Sequence, residues 1–477
     1  MIPFSLGDVL AACDAQLLGE EVSGVEHTVL QNVSTDTRSL QKGDLFVALS
    51  GPNHDGNDYA LRAAQAGAAA LLLRAGADLQ HPLGKTPVIL CQDPRRAFSQ
   101  LAAWHRSRLE MPVLGITGSC GKTSTKNMLA SLLGTQRKVV ASPASYNNDI
   151  GVPHTLFSAD PSCETLIVEM GTNAPGEIEA LCSTARPTAA IVTNVGSSHL
   201  AGLGSERGVA QEKSCLPASI SPDGWVVLNA DCAWSETLRA ATTAQVLTFG
   251  IEHSADLRAR ELHFEDEHTT FQLDAGPVGV SCEVCLPMLG QHAVANLLAA
   301  LAACVGLGVD LAGVLEHVGR LRDARSRMQR RRVGDLTLID DSYNANPFSA
   351  RAAVRALKVM SASRRVLVLG DMHELGETSV KEHRGLGQAV AEAQVEQLVT
   401  IGEQALDIAA GAALAGMPPG CVRHFPGVTQ ATEALDEFVG SGDVVLVKGS
   451  RAAGLELLVQ RIEEIHGAPS MREVQRG

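Results

Sequence analysis

The run Gly118-Ser119-Cys120-Gly121-Lys122-Thr123-Ser124 follows an apolar segment, 113–117, and opens a segment of helical periodicity, 123–133. Strand, glycine-rich turn and helix together are what a phosphate loop requires. The glycines let backbone N–H groups converge on an anion, and the helix N-terminus adds a favourable dipole. Lys122 is placed to reach outer phosphates, and the Thr123 hydroxyl to meet Mg²⁺. The expected ligand is a nucleoside triphosphate, although the strict motif has glycine where this chain has Ile116. The competing reading is a chance glycine-rich turn. Cys120 beside a lysine and a helix N-terminus is a candidate for a lowered pKa, but a catalytic thiol would still need a partner base.

Two further groups sit where a cation could meet those phosphates. Glu169 lies near the end of the strand-like run 165–170, and His199 follows the run 189–195. Side chains at the carboxyl ends of parallel strands face the crevice where α/β proteins bind ligands. A hard cation prefers oxygen, so Glu169 is the natural Mg²⁺ ligand and His199 a less usual one. The bland reading of His199 is a loop-capping or partly buried histidine. Lys213, in the helix-like SERGVAQEKSCL, reads from its chemistry alone as a solvated lysine. The run HELGE at 373–377 lacks the second histidine of a zinc-protease helix. Cys282 and Cys285 form a CxxC with no second pair nearby, which favours a structural role.

These groups need elements to hold them. The chain has 477 residues, so two to four domains are expected. A hydrophobic share of 45% supplies real cores and excludes a mostly disordered chain. The net charge of −14 argues against a general nucleic-acid binder. No basic leader precedes the first apolar residues, and no apolar stretch reaches the ~18 residues of a membrane helix. Eleven scattered cysteines form no disulfide framework, which suits a reducing cytoplasm.

The first hundred residues read as short strands (43–51, 69–73, 87–91), a helix over 58–70 and another over 94–109. Near-continuous apolar runs at 113–117, 165–170, 189–195 and 224–230 predict buried parallel strands. Residues 256–285 alternate and suggest a small antiparallel excursion, followed by a helix over 291–305. After the basic run 325–332, strands at 336–340, 365–370, 397–402 and 443–449 predict a second open α/β unit. The expected class is α/β in three domains: 1–110, 111–320 with the phosphate loop, and a Rossmann-like 321–477.

The segments 34–59, GITGSCGKTSTKNML (115–129), NNDIGVPHTL (147–156), EMGTNAPGEI (169–178), TNVGSSHL (193–200), QHAVANLLAA (291–300), IDDSYNANP (339–347), LGDMHELG (369–376) and KGSRAAGLE (448–456) together resemble the Mur ligase family over essentially the whole chain. That family also departs from the strict motif at the position of Ile116. IDDSYNANP and GDMHELG look like the branch that attaches D-alanyl-D-alanine to UDP-N-acetylmuramoyl-tripeptide. The resemblance implies a bacterial, cytoplasmic, monomeric enzyme that uses ATP and Mg²⁺ and has no nucleic-acid or membrane partner. It implies that the N-terminal domain holds the UDP-sugar, the central domain ATP, and the C-terminal domain the incoming dipeptide while closing over the nucleotide.

Roles carried over from the family are expectations at this point. Gly118 to Ser124 cradle ATP, with Lys122 on the terminal phosphates and Thr123 beside Mg²⁺. Glu169 and His199 hold Mg²⁺, and Lys213 matches a lysine carried as a carbamate. Asn296 meets the adenine region, Arg327 reaches the nucleotide from the domain border, and Asp341 and Asn344 lie on the nucleotide and hinge side. Ser34, Asp36 and Arg38 resemble uridine-diphosphate contacts, Asn147 and Asn148 line the peptide channel, and Tyr343 and Asn346 belong to the same substrate set. Ala201 and Cys215 stand where the family often has acids. The competing functions are a sibling ligase adding the third amino acid, a folylpolyglutamate synthetase-like ligase, and a non-enzymatic nucleotide-binding regulator.

Overall fold

Three large sheets, each drawn from one stretch of chain, organise the molecule, beside a two-stranded pairing of Phe4–Ser5 with Val29–Leu30. The computed structural model describes all residues except 20–23, 79–82, 266 and 468–477. The first sheet has five strands in the order Ala15–Leu17, Val88–Cys91, Ala70–Arg74, Leu45–Val47 and Val33–Ser34, with only the first pair antiparallel. The third has six, with Gln329–Val333 antiparallel at one edge and five parallel strands beyond it.

The central sheet has nine strands. Val113–Thr117 lies between Thr165–Glu169 and Ala189–Val192, and all three are buried along their whole length. Helices cover both faces, which is why these runs are apolar without alternation. Register places Glu169 opposite Ile116 and Val192 opposite Thr117, so three carboxyl ends finish level. The chain leaves Val113–Thr117 toward one side of the sheet and later returns on the other. That reversal opens a crevice above the strand ends.

The structure corrects several sequence expectations. Residues 257–286 are no separate excursion. Leu257–Phe264 pairs parallel to Gln245–Gly250, and two antiparallel strands then extend the same sheet. The helix expected over 58–70 is a 3₁₀ turn, Gly56–Tyr59, and a short helix, Ala60–Gln65. Gly67 at φ +95° turns the chain away, and Ala70 already belongs to a strand. The strand expected to reach 195 stops at Val192, because Thr193 and Asn194 turn to bond the phosphate loop. The basic run contributes an edge strand, Gln329–Val333, whose hairpin turns at Gly334 with φ +55°. The CxxC lies on the strand Val280–Leu286, so its two thiols point to opposite faces and cannot share a metal.

Among the described residues, no helix is long and apolar enough to cross a membrane. The N-terminal and central units are fastened by a buried cation. Arg106, 8% exposed, donates to the carbonyls of Ala185 (3.0 Å), Leu109 (2.5 Å) and Arg186 (3.2 Å). It ties the end of helix Pro94–Ser107 to the end of helix Glu177–Ala185. Thr35 and His154 add a 3.0 Å contact across the same junction. Arg106→Met should strand those buried carbonyls and cost about 2 kcal/mol or more. A lowered apparent melting temperature would show it, and an unchanged melt would refute the fastening role.

Candidate active site

The phosphate loop needs its glycines for two separate reasons. Gly118 (φ +149°) and Gly121 (φ +83°) adopt backbone conformations that side chains resist. A Cβ at Gly118 would also collide with the Thr193 hydroxyl, and one at Gly121 with the Asn296 amide. The loop is then tied down. Cys120 N donates to Asn194 Oδ1 at 2.9 Å, and Thr193 Oγ1 donates to Cys120 O at 2.5 Å. Ser119 Oγ donates to Gly196 O at 2.9 Å. Lys122 folds back, donating from Nζ to Gly118 O at 2.6 Å. Burial lowers its pKa, and Glu169 opposes that shift. Cys120 does not behave as a lowered-pKa thiol, since burial pushes it up.

Glu169 is the centre of the site. It is 1% exposed and lies beside Lys126, also 1% exposed, at 3.6 Å between Oε2 and Nζ. Its other oxygen accepts from Thr123 Oγ1 at 3.1 Å and Asn147 Nδ2 at 2.9 Å. Lys126 also donates to the carbonyl oxygens of Ser142, at 2.6 Å, and Ala144. Glu169 Oε2 has no hydrogen-bond partner among the described residues. A buried carboxylate oxygen beside a threonine hydroxyl is a hard donor set, and it fits Mg²⁺. The described residues contain no group of three or more His, Cys, Asp or Glu able to hold a metal by themselves.

Thr123, Asn147 and Glu169 line a cavity of about 1330 Å³ whose wall also includes Arg95 from the N-terminal unit, residues 119–124 of the phosphate loop, and Asp341, Asn346 and Lys448 from the C-terminal unit. Contacts bridge the cleft. Asn346 Nδ2 donates to Ser119 O at 3.1 Å, and Arg327 Nη2 donates to Ser145 Oγ at 3.0 Å. Arg327 also lies over the Tyr343 ring at 4.1 Å. His199 Nδ1 meets Glu374 Oε2 at 2.5 Å.

Residues 29–106 match the "Mur ligase family, catalytic domain", 116–304 the "Mur ligase middle domain" and 326–451 the "Mur ligase, glutamate ligase domain". The UDP-N-acetylmuramoyl-tripeptide–D-alanyl-D-alanine ligase of Escherichia coli (strain K12) is 36% identical over 94% of this chain and 97% of its own length. The chain belongs to the Mur ligase family. The Bacillus subtilis (strain 168) ligase of the same name is 33% identical, covering 92% of this chain and 94% of its own. Among solved structures, MurF from Acinetobacter baumannii superposes with a TM-score of 0.88 at 28% identity, covering 97% of this chain and 99% of that one.

In this Mur ligase the other expected residues divide by position. Asn296 accepts from Thr125 Oγ1 at 3.3 Å and stands over Gly121. Asp341 binds Lys448 Nζ at 2.6 Å, and the carbonyl of Asn344 accepts from the same amine at 2.8 Å. Asn148 caps helix Gly151–Phe157 by accepting from Gly151 N at 2.9 Å. Ser124 lies on the cavity wall.

Ser34, Asp36 and Arg38 lie in the N-terminal unit and are not among the cavity-lining residues. Arg38 grips Asp36 through Nε at 2.9 Å and Nη2 at 2.6 Å, which holds that carboxyl down at about 2. Lys213 is not on the cavity wall either. It is 1% exposed on helix Glu206–Ala218, and burial, reinforced by Lys122, pulls its pKa well below the ordinary value. The neighbouring Glu212 accepts instead from Gly176 N (2.8 Å) and Ile178 N (2.7 Å).

Sequence reasoning missed Lys126, Ser145, Glu374 as a contact of His199, Lys448 and Asp323. Asp323 lines the cavity at the domain border, where burial and then Asp341 push its carboxyl up to about 7. Lys126 had one available signal: it lies one helical turn beyond Lys122. Lys126→Met should leave the Glu169 charge uncompensated and cost about 3–5 kcal/mol. Thermal unfolding together with ATP titration would check this, and a stable variant with unaltered nucleotide affinity would refute it.

Proposed function

We propose that this chain is an ATP-dependent ligase that joins D-alanyl-D-alanine to UDP-N-acetylmuramoyl-tripeptide in the bacterial cytoplasm. The products are UDP-N-acetylmuramoyl-pentapeptide, ADP and phosphate, and the pathway served is the supply of peptidoglycan precursors. The observation that carries the reading is one cavity joining the phosphate loop, the buried Glu169 and residues of all three units, in a chain of this family.

The chemistry follows from bond energetics. A carboxylate is a poor acyl donor because oxide leaves badly. The terminal carboxylate oxygen of the tripeptide attacks the γ-phosphorus of ATP, and the bond to the β-phosphate oxygen breaks to release ADP. The amine of the dipeptide then attacks the acyl phosphate carbon. A tetrahedral intermediate collapses to an amide, with phosphate as leaving group and the amine proton lost. The first step gathers several negative charges. Lys122 binds the outer phosphates and Arg327 reaches the nucleotide from the domain border, where preorganised cations lower the barrier. The loop N–H groups and Ser124 hold the phosphate chain, Asn296 the adenine side, and Asp341 and Asn344 the hinge side. Thr123, Glu169, His199 and carbamylated Lys213 would hold Mg²⁺, which neutralises phosphate charge when bound. Ser34, Asp36 and Arg38 bind the uridine diphosphate. Asn147, Asn148, Tyr343 and Asn346 line the path of the reacting peptide. Closure of the cleft keeps water from the acyl phosphate.

Carbamylation needs a neutral amine, and the burial of Lys213 supports it. The adduct converts a cation into an anion suited to metal and phosphate. Lys213→Ala should therefore impair ligation and recover partly with acetate. Full activity in the variant would remove the carbamate.

Substrate choice is the broader test. Phosphate release should require the tripeptide nucleotide and D-Ala-D-Ala together. Equal turnover of a shorter precursor with a single amino acid would favour a sibling ligase instead.

A further inference from the structure

Glu374 approaches the segment 199–201 at two points. Its carboxylate meets Nδ1 at 2.5 Å, and its backbone carbonyl accepts from Ala201 N at 2.9 Å. The two residues come from different units, His199 from the loop after Ala189–Val192 and Glu374 from the loop after Arg365–Gly370. Neither is glycine, yet both hold a left-handed backbone, at φ +53° and +64°. Such conformations cost energy and persist where the surroundings over-determine them. Gly376 extends the contact, since a Cβ there would lie 3.6 Å from Ala201 Cα.

A histidine bound through one ring nitrogen has its tautomer and orientation fixed for the other. We infer that Glu374 is a positioning residue for His199: it engages Nδ1 across the domain boundary and leaves Nε2 as the free lone pair for a cation in the cleft. This rests on the role proposed for His199 above.

The test measures metal binding and not turnover. Mn²⁺ is titrated into the full-length protein with β,γ-methylene-ATP present, and free Mn²⁺ is followed by electron paramagnetic resonance. Glu374→Ala should raise the half-saturating Mn²⁺ concentration by about 10–100-fold. Glu374→Gln retains an acceptor oxygen and should show a smaller rise. His199→Ala should raise it as well, and Glu374→Ala added to it should bring no further loss. Melting curves by circular dichroism would confirm that the variants fold. Should a variant not fold, Glu374→Gln alone decides, and an unchanged half-saturation overturns the inference. Wild-type Mn²⁺ affinity in Glu374→Ala, or losses that add in the double variant, would overturn it too. If His199→Ala itself leaves metal affinity intact, the metal role of His199 fails, and this inference with it. An effect of His199→Ala with none from Glu374→Ala sinks this inference alone.

Discussion

A carboxylate that is 1% exposed requires a compensating charge, and the candidate site is built around that requirement. Glu169 sits at the end of a strand buried on both faces, and Lys126 answers it from the helix that begins at the phosphate loop. Lys126 is held in turn by the carbonyls of Ser142 and Ala144, which fixes the segment leading to Ser145 and Asn147. One ion pair thereby sets the relation of the phosphate loop, the Glu169 strand and the peptide-side loop. Thr123 and Asn147 complete the arrangement by bonding the same carboxylate oxygen. The remaining oxygen faces Lys126 at 3.6 Å and accepts no hydrogen bond among the described residues, which leaves it a lone pair for a cation.

The second principle is that the site belongs to no single unit. The central sheet supplies the phosphate loop, Glu169 and the loop carrying His199, all at the carboxyl edge of strands that flank a topological reversal. The C-terminal unit reaches across with Asn346 and Glu374, and Arg327 at the border reaches Ser145. The N-terminal unit is fastened through Arg106 and the Thr35–His154 contact. Local sheets give each group its rigidity, and side chains that cross between units join the walls of the cavity.

What could be read from the sequence follows the range of the interactions. The phosphate loop is a local object, seven residues that leave a strand and run into the first turn of a helix, and its chemistry was plain. The positions of Glu169 and of the loop carrying His199 could be read because apolar runs marked the strands that precede them. Lys213 was not, since its helix reads as amphipathic and its burial depends on packing distant in sequence; only the family resemblance singled it out. Lys448 and Ser145 likewise gain meaning from partners 107 and 182 residues away. The edge strand Gln329–Val333 escaped because three arginines hide it, and an edge needs apolar residues on one face at most. The extension of the central sheet to nine strands escaped because alternation shows that a strand is half-exposed without showing which sheet it joins.

Lys126 with Glu169 and Lys448 with Asp341 have a shared consequence. Each lysine is at most 2% exposed, and each is neutralised by a carboxylate of its own unit. Mobile ions screen exposed charges over a Debye length of about 8 Å at physiological ionic strength, but they penetrate buried pairs poorly. The framework of the cleft is therefore insulated from the salt content of its surroundings. Its long-range pull on an anionic nucleotide comes from the few cations not already answered within their own unit, Lys122 and Arg327 foremost. In a protein of net charge −14, ionic strength should therefore act on capture of the nucleotide and leave the architecture that receives it unchanged.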